Sequence, residues 1–458
     1  MGLDLPRFYA ACNPSKPLAM GKAEERQYYI DFASVRGGKI IEALRRTITT
    51  LSPDRPTCQL FTGHIGCGKS TELRRLSAEL EEQGFHVIYF ESSQDLDMAD
   101  VDVTDILLAI ARQVSENLEL LKISLRPRGF KNLLKDAADF LQTPIELKAS
   151  IGVPGVGEIT AGSEELGFSL PGGIGQITAT TKESPALRHR LRNWLEPRTN
   201  IILQTINREI FDEATSELQG MGKKGLVVLV DNLDRVHNKR TASGRLLPEY
   251  LFIDRGQQLR QLACHVVYTI PLSLVFSNDA ETLKNRLGGG LTPKVLPMVP
   301  VQMRDGSEFR PGMDLLQQMV MTRAFPQLDP IGQQGLITEL FDSPETLDRL
   351  CRISGGHVRN LLGLLYSCLQ QADPPFDRDS LETVIREHRD YLISSVTDDE
   401  WELLFNLVTR QKISGDEEYQ TLLRSMFVYE YRDREGSWFG INPALAETKK
   451  YQLWLNGN

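Results

Sequence analysis

Eight consecutive residues constrain this chain of 458 more than any others. Gly63-His64-Ile65-Gly66-Cys67-Gly68-Lys69-Ser70 has the spacing GxxxxGK[ST]. The apolar run Cys58 to Thr62 before it reads as a short buried strand, and the spacing predicts a helix from Lys69 to about Gln83, with Gly84 as its stop. Strand, loop and helix in that order are what such a motif needs. Glycines let backbone N–H groups turn inward around a phosphate without Cβ clashes. The helix N-terminus adds its dipole and its free N–H groups. Lys69 is expected to reach the β- and γ-phosphates of ATP, and the Ser70 hydroxyl to ligate Mg²⁺, with Thr71 behind it. The expected nucleotide-binding set is therefore Gly63, His64, Ile65, Gly66, Cys67, Gly68, Lys69, Ser70 and Thr71. The plainer reading is a Gly-rich turn that caps a helix.

An α/β pattern surrounds the loop. Gly38 to Leu51 has helical spacing in Ile40, Ile41, Leu44, Ile48 and Leu51. His86 to Glu91 reads as a second strand and Val103 to Leu120 as an amphipathic helix. Gly225 to Val230 is a continuous apolar run ending in Asp231, as expected of a central strand covered on both faces. Leu251 to Leu262 reads as helix, Cys264 to Ile270 as a buried strand and Glu281 to Leu287 as a short helix. Lys294 to Val301 is expected at a sheet edge because it contains two prolines. An excursion interrupts this pattern. Arg126 to Lys135 is basic, Pro144 to Thr181 reads either as an inserted hairpin or as a flexible segment, and Leu187 to Leu218 reads as a long helix. Met313 to Ala372 is all helical. From Thr397 the order is helix, helix and a strand pair, Phe427 to Tyr431 and Ser437 to Ile441.

A Mg²⁺ ion at the loop needs an acidic partner at the end of a neighbouring strand. Asp231-Asn232-Leu233-Asp234-Arg235 supplies it. Asp231 would hold the ion through water. Asp234 is the other carboxylate at hand and has two readings: a base for the attacking water, or a cap that pairs with Arg235.

The two motifs together, a Walker A at Gly63 to Ser70 and a DxxDR form of Walker B at Asp231 to Arg235, resemble the AAA+ and STAND branches of P-loop NTPases of bacterial type. Ser354-Gly355-Gly356-His357-Val358-Arg359-Asn360-Leu361-Leu362 is similar to the SGGxxRxLL of the helical lid in origin-recognition-type AAA+ ATPases. That resemblance implies Arg359 as sensor 2, Thr269 as sensor 1 with Asn278 as a second choice, Arg286 as arginine finger and Arg36 on the adenine side. It implies an α/β fold: a P-loop NTPase parallel sheet (AAA+-like) with an insertion, a helical lid and a C-terminal winged helix. The expected division is an N-terminal extension 1–26, a core 27–310 with an inserted region 122–220, a lid 311–393 and a winged-helix-like domain 394–458. The implied activity is ATP hydrolysis that drives a conformational or assembly switch, with a homo-oligomer forming on ATP binding and a protein effector as partner. Such relatives serve in defence and conflict, in transposition control and in replication initiation. Two departures matter. Asn232 stands where most related motors place a glutamate that polarises water, so hydrolysis is expected to be slow. The inserted region also lengthens the distance from Lys69 to Asp231.

Charge bears on the rival reading, a DNA-associated ATPase of the initiator or transposition-regulator kind. The net charge is −9, a poor match to a nucleic-acid coat. Arg188 to Trp194, with Arg126, Arg128, Lys131 and Lys135, forms either a phosphate-contacting stripe or a solvated helix face. The segment from Thr397 onward carries seven Lys or Arg against eleven acids, and reads as a protein-binding or intramolecular clamp. Six scattered cysteines fit a reducing cytosol. With no apolar run long enough to span a bilayer and no basic start followed by an apolar run, the expected location is cytoplasmic, with no membrane partner.

Overall fold

Leu226–Asp231 has no water-facing position, and all six of its residues are buried. Only a strand covered on both faces accommodates that pattern. In the computed structural model, which describes residues 2–123, 125, 127–141, 172, 174, 175 and 184–457, this strand lies inside a five-stranded sheet. The strands are β1 (Cys58–Gly63), β2 (His86–Glu91), β3 (Leu226–Asp231), β4 (His265–Thr269) and β5 (Lys294–Leu296), in the order β2-β3-β4-β1-β5. All neighbours are parallel. The register pairs Glu91 with Asp231, so the ends of β2 and β3 stand side by side at the carboxyl edge, where open parallel sheets bind ligands.

Helices cover both faces. On one, Val103–Leu120 buries Ile106, Leu107, Ile110 and Val114 against Val228 and Val230, and Arg128–Leu141 joins the same core. A capping box between Asp102 and Asp105 starts Val103–Leu120, a contribution of about 1 kcal/mol. On the other face, Leu73, Leu76 and Leu80 of Lys69–Glu82 pack with Tyr429, Tyr431 and Trp438 from near the C-terminus. A further core joins Phe8, Ile30 and Phe32 to the helices Arg310–Ala324, Pro344–Ile353, Val358–Gln371 and Arg378–Ile393. The N-terminal segment is thus built into the helical region that follows the sheet.

Several elements differ from their sequence reading for local reasons. The long helix expected over Leu187 to Leu218 is divided by the 3-10 turn Glu196–Arg198, where Pro197 has no N–H to give, and by the π turn Asn207–Phe211. Leu251 to Leu262 shortens to a π turn, Tyr250–Asp254, and one α turn, Gly256–Leu259. β5 stops at Leu296, before Pro297, and among the described residues pairs with β1 alone. The hairpin reading of Pro144 to Thr181 falls, apart from Gly172, Ile174 and Gly175, outside the described residues. Beyond the lid helices come Asp398–Arg410, Glu417–Arg424 and the antiparallel pair β6 (Val428–Asp433) and β7 (Gly436–Ile441). No helix among the described residues is long and apolar enough to cross a membrane.

Candidate functional site

The loop between β1 and Lys69–Glu82 turns on glycines. Gly66 has φ +89° and Gly68 φ +107°, a region that side chains with a Cβ avoid. Gly68 caps the helix, so Lys69 and Ser70 open its first turn, where N–H groups have no acceptor within the helix. The Lys69 ammonium lies 2.7 Å from the Gly63 carbonyl, 2.8 Å from that of His64 and 2.9 Å from Asp234 Oδ2. Burial alone would favour its neutral form; Asp234, with help from Asp231, overcomes this and holds the pKa above the ordinary lysine value. Asp234 thus pairs with Lys69, not with Arg235, and its Oδ1 is buried without a partner among the described residues.

Asp231 stands beside this pair. Its Oδ1 accepts from the Asn232 N–H at 2.7 Å and its Oδ2 from the Tyr89 hydroxyl at 2.8 Å. Burial raises its pKa, and the nearby Asp234 raises it further, while a hydrogen bond from Ser70 works in the other direction. A hydroxyl, two crowded buried carboxylates and an unpaired carboxylate oxygen suit a divalent cation. The loop, Lys69 and the free first-turn N–H groups suit a polyphosphate.

Three parts of the chain border the cavity over the loop. Arg36 donates to the Cys67 carbonyl at 2.9 Å and lies 5.1 Å from the centre of the Phe32 ring. From the N-terminal segment, the Leu18 N–H reaches Thr71 Oγ1 at 3.3 Å. From the lid, the Arg359 N–H donates to the Gly66 carbonyl at 3.2 Å and its Nε to the Pro14 carbonyl at 3.3 Å. A Cβ on Gly66 would meet His357 Nε2 at 2.5 Å, so this glycine is also what lets the lid approach. Arg359, Arg235, Asp231, Asp234, Lys69 and Ser70 all line one cavity.

Other expected residues lie elsewhere. His64 turns away from the cavity: its Nε2 accepts the Glu430 N–H at 2.8 Å and its ring meets Tyr429 edge-on. Burial lowers its pKa to about 3, which keeps it a neutral acceptor. Cys67 is fully buried and serves as a small filler. The Thr269 hydroxyl accepts from the Leu233 N–H at 3.1 Å and donates to the Val230 carbonyl at 3.3 Å, tying β4 to the turn after β3. Arg286 is exposed, 3.4 Å from the carbonyls of Ile253 and Asp254, and is not in the cavity wall. Asn278 packs against Gly415. The basic helix is occupied: Arg188 pairs with Asp97, and Arg192 with Asp100 and Asp105. Trp194 lies under Arg198 and near Phe140.

Sequence reasoning missed several contributors to the site, among them Tyr89, which donates to Asp231, and the cavity carboxylate Glu72. Pro14 to Leu18 lines the cavity without any motif. Glu91 lines it too, and its one signal is its place as the last residue of a strand.

With this geometry in hand, comparisons with known proteins place the core. Residues 38–244 match the profile of the KAP family P-loop domain. No curated protein matches the chain. Among solved structures it is similar to the ORC2 protein of Aeropyrum pernix in ADPNP–ADP complexes, at 11% identity over 99% of this chain and 98% of that one, with a TM-score of 0.41. It is also similar to a Walker-type ATPase of Pyrococcus abyssi, at 11% identity over 94% of this chain and 97% of that one, with a TM-score of 0.40. The parallel sheet, the loop and the matched domain together make this an α/β P-loop fold that carries a nucleotide-binding P-loop NTPase domain.

Proposed function

We propose that the chain is a slow Mg²⁺-dependent ATPase whose nucleotide state sets the posture of its lid and C-terminal hairpin, so that it works as a switch. Lys69 would hold the β- and γ-phosphates, and Ser70 and Asp231 the Mg²⁺. The bound ion would offset phosphate charge. The observation that carries the switch reading is that one loop is held by three separate parts of the chain. Asp234 from the core takes Lys69, His357 from the lid donates to the Ile65 carbonyl at 2.8 Å, and the Glu430 N–H from the hairpin donates to His64. A phosphate that reorders this loop has to renegotiate all three contacts. An exposed Arg286 supports ATP-dependent self-assembly, with an effector protein as the further partner.

The DNA-bound alternative has less to stand on, because Arg188 and Arg192 on the basic helix are paired within the fold. Calorimetric titration with Mg-ATP, followed by small-angle scattering with ATP and with ADP, tests the proposal. Wild type is expected to bind ATP tightly and to change its radius of gyration with ATP only, and Lys69→Ala is expected to lose both. Unchanged ATP affinity in Lys69→Ala would overturn the site; identical scattering in both nucleotides would overturn the switch.

A further inference from the structure

Four carboxylates line the cavity: Glu72, Glu91, Asp231 and Asp234. Three have places that set them apart from the water-facing end of the sheet. Asp231 receives hydrogen bonds from Asn232 and Tyr89 and is the acid beside Ser70. Asp234 is the buried counter-ion of Lys69. Glu72 accepts from the Tyr29 hydroxyl at 3.0 Å and sits by Arg75, away from the Walker B turn.

Glu91 is different. It ends β2 in register with Asp231, and strands of one sheet lie about 4.8 Å apart. Its side chain is 22% exposed, against 5% for that of Asp234. Its Oε1 accepts from Arg74 at 3.0 Å, and its Oε2 accepts from Gln94 at 3.4 Å and from Asn232 Nδ2 at 3.3 Å. Asn232 reaches it because its backbone is left-handed, with φ +65°, a conformation asparagine tolerates better than most residues. The residue after the Walker B aspartate thus has its side chain turned onto the neighbouring strand, where a water-accessible carboxylate waits.

We propose that Glu91 is the general base of hydrolysis and that Asn232 is the positioning residue that holds it. The inference rests on the ATPase reading above. In the step, Glu91 accepts a proton from water as the water oxygen bonds to the γ-phosphorus. The bond from that phosphorus to the bridging oxygen breaks, its electron pair leaves with ADP, and the proton passes to the phosphate product. A base aligned in this way is worth about 10²–10⁴-fold in rate.

Single-turnover hydrolysis of radiolabelled ATP, with the full-length protein in excess and binding measured in parallel, tests this. Glu91→Gln is expected to bind Mg-ATP within threefold of wild type and to hydrolyse it roughly 10²–10⁴-fold more slowly. Glu91→Asp, which keeps the charge facing Arg74 but draws it back by one methylene, is expected to bind equally and to lose at least about tenfold in rate; it decides the matter if Glu91→Gln does not fold. Wild-type rates in either variant would overturn the role of Glu91 and leave the nucleotide site standing. A wild type that binds ATP without turnover would do the same, whereas a wild type that binds no nucleotide would overturn the site itself.

Discussion

Lys69 Nζ lies 2.9 Å from Asp234 Oδ2, with both side chains about 95% out of solvent. The cation proposed to hold phosphate is thus already paired within the chain. Asp234→Ala would leave Lys69 buried without its partner, which costs about 3–5 kcal/mol. Nucleotide phosphates restore the missing negative charge. The variant is therefore expected to melt well below wild type alone and to gain more from Mg-ATP than wild type does. Differential scanning calorimetry with and without Mg-ATP checks this, and equal ATP-induced shifts in the two proteins would show that Asp234 does not hold Lys69 in solution.

A second buried carboxylate is expected to make stability depend on pH. Glu430 has Oε1 on the Ser437 hydroxyl at 2.6 Å and Oε2 buried without a partner among the described residues. Burial pushes its pKa up to about 7, against about 4.3 in an unfolded chain. Because the folded value is the higher one, the protonated form favours the fold. That contribution is complete below the unfolded pKa and is lost as pH rises through about 7. Glu430→Gln is expected to gain on wild type by roughly 2–3 kcal/mol between pH 5 and pH 8. Denaturant midpoints of both proteins at each pH measure the difference; a difference that does not change with pH would mean that the carboxyl is solvated.

The basic helix yields a third expectation. Arg192 spans Asp100 at 2.9 Å and Asp105 at 3.2 Å, and Asp105 is half of the capping box of Val103–Leu120. Arg192→Ala is expected to cost about 1.5–3 kcal/mol, the worth of charged hydrogen bonds, and to leave retention on duplex DNA unchanged. Thermal melts and a gel shift at low salt check the two halves. A shift seen in wild type and lost in the variant would restore the DNA reading.

The sheet and the loop were legible because their signals are local. Gly225 to Asp231 could only be a doubly covered strand, and Gly63 to Ser70 carries its own backbone requirement. Asp234 was legible as a residue but not as a partner, because its contact with Lys69 spans 165 positions and depends on strand order. Glu91 gave less still: nothing in HVIYFE says that its last residue will stand beside Asp231. Thr269 is the opposite case. A polar residue at a strand end looks like a sensor, and its hydroxyl here accepts from Leu233 and donates to Val230, contacts that the sequence does not announce.

The last expectation separates two arginines by where they lie. Arg359 opens the helix Val358–Gln371, binds the Gly66 carbonyl through its N–H at 3.2 Å, and lines the cavity. A charge-assisted contact from it to phosphate is worth about 1.5–3 kcal/mol, or roughly 10- to 150-fold in affinity. Arg286 ends the helix Ala280–Arg286 on the surface, outside the cavity wall. As an arginine finger it would therefore act on the nucleotide of another copy of the chain. Arg359→Ala is therefore expected to weaken ATP binding 10- to 150-fold even in the monomer. Arg286→Ala is expected to keep monomer affinity and to lose any ATP-dependent growth in particle size. Light scattering of wild type and both variants, each with ATP and with ADP, together with calorimetric affinities, reads out the pair. A wild type that stays monomeric in ATP would remove Arg286 from the mechanism and leave Arg359, with the lid it belongs to, as the residue through which nucleotide is sensed.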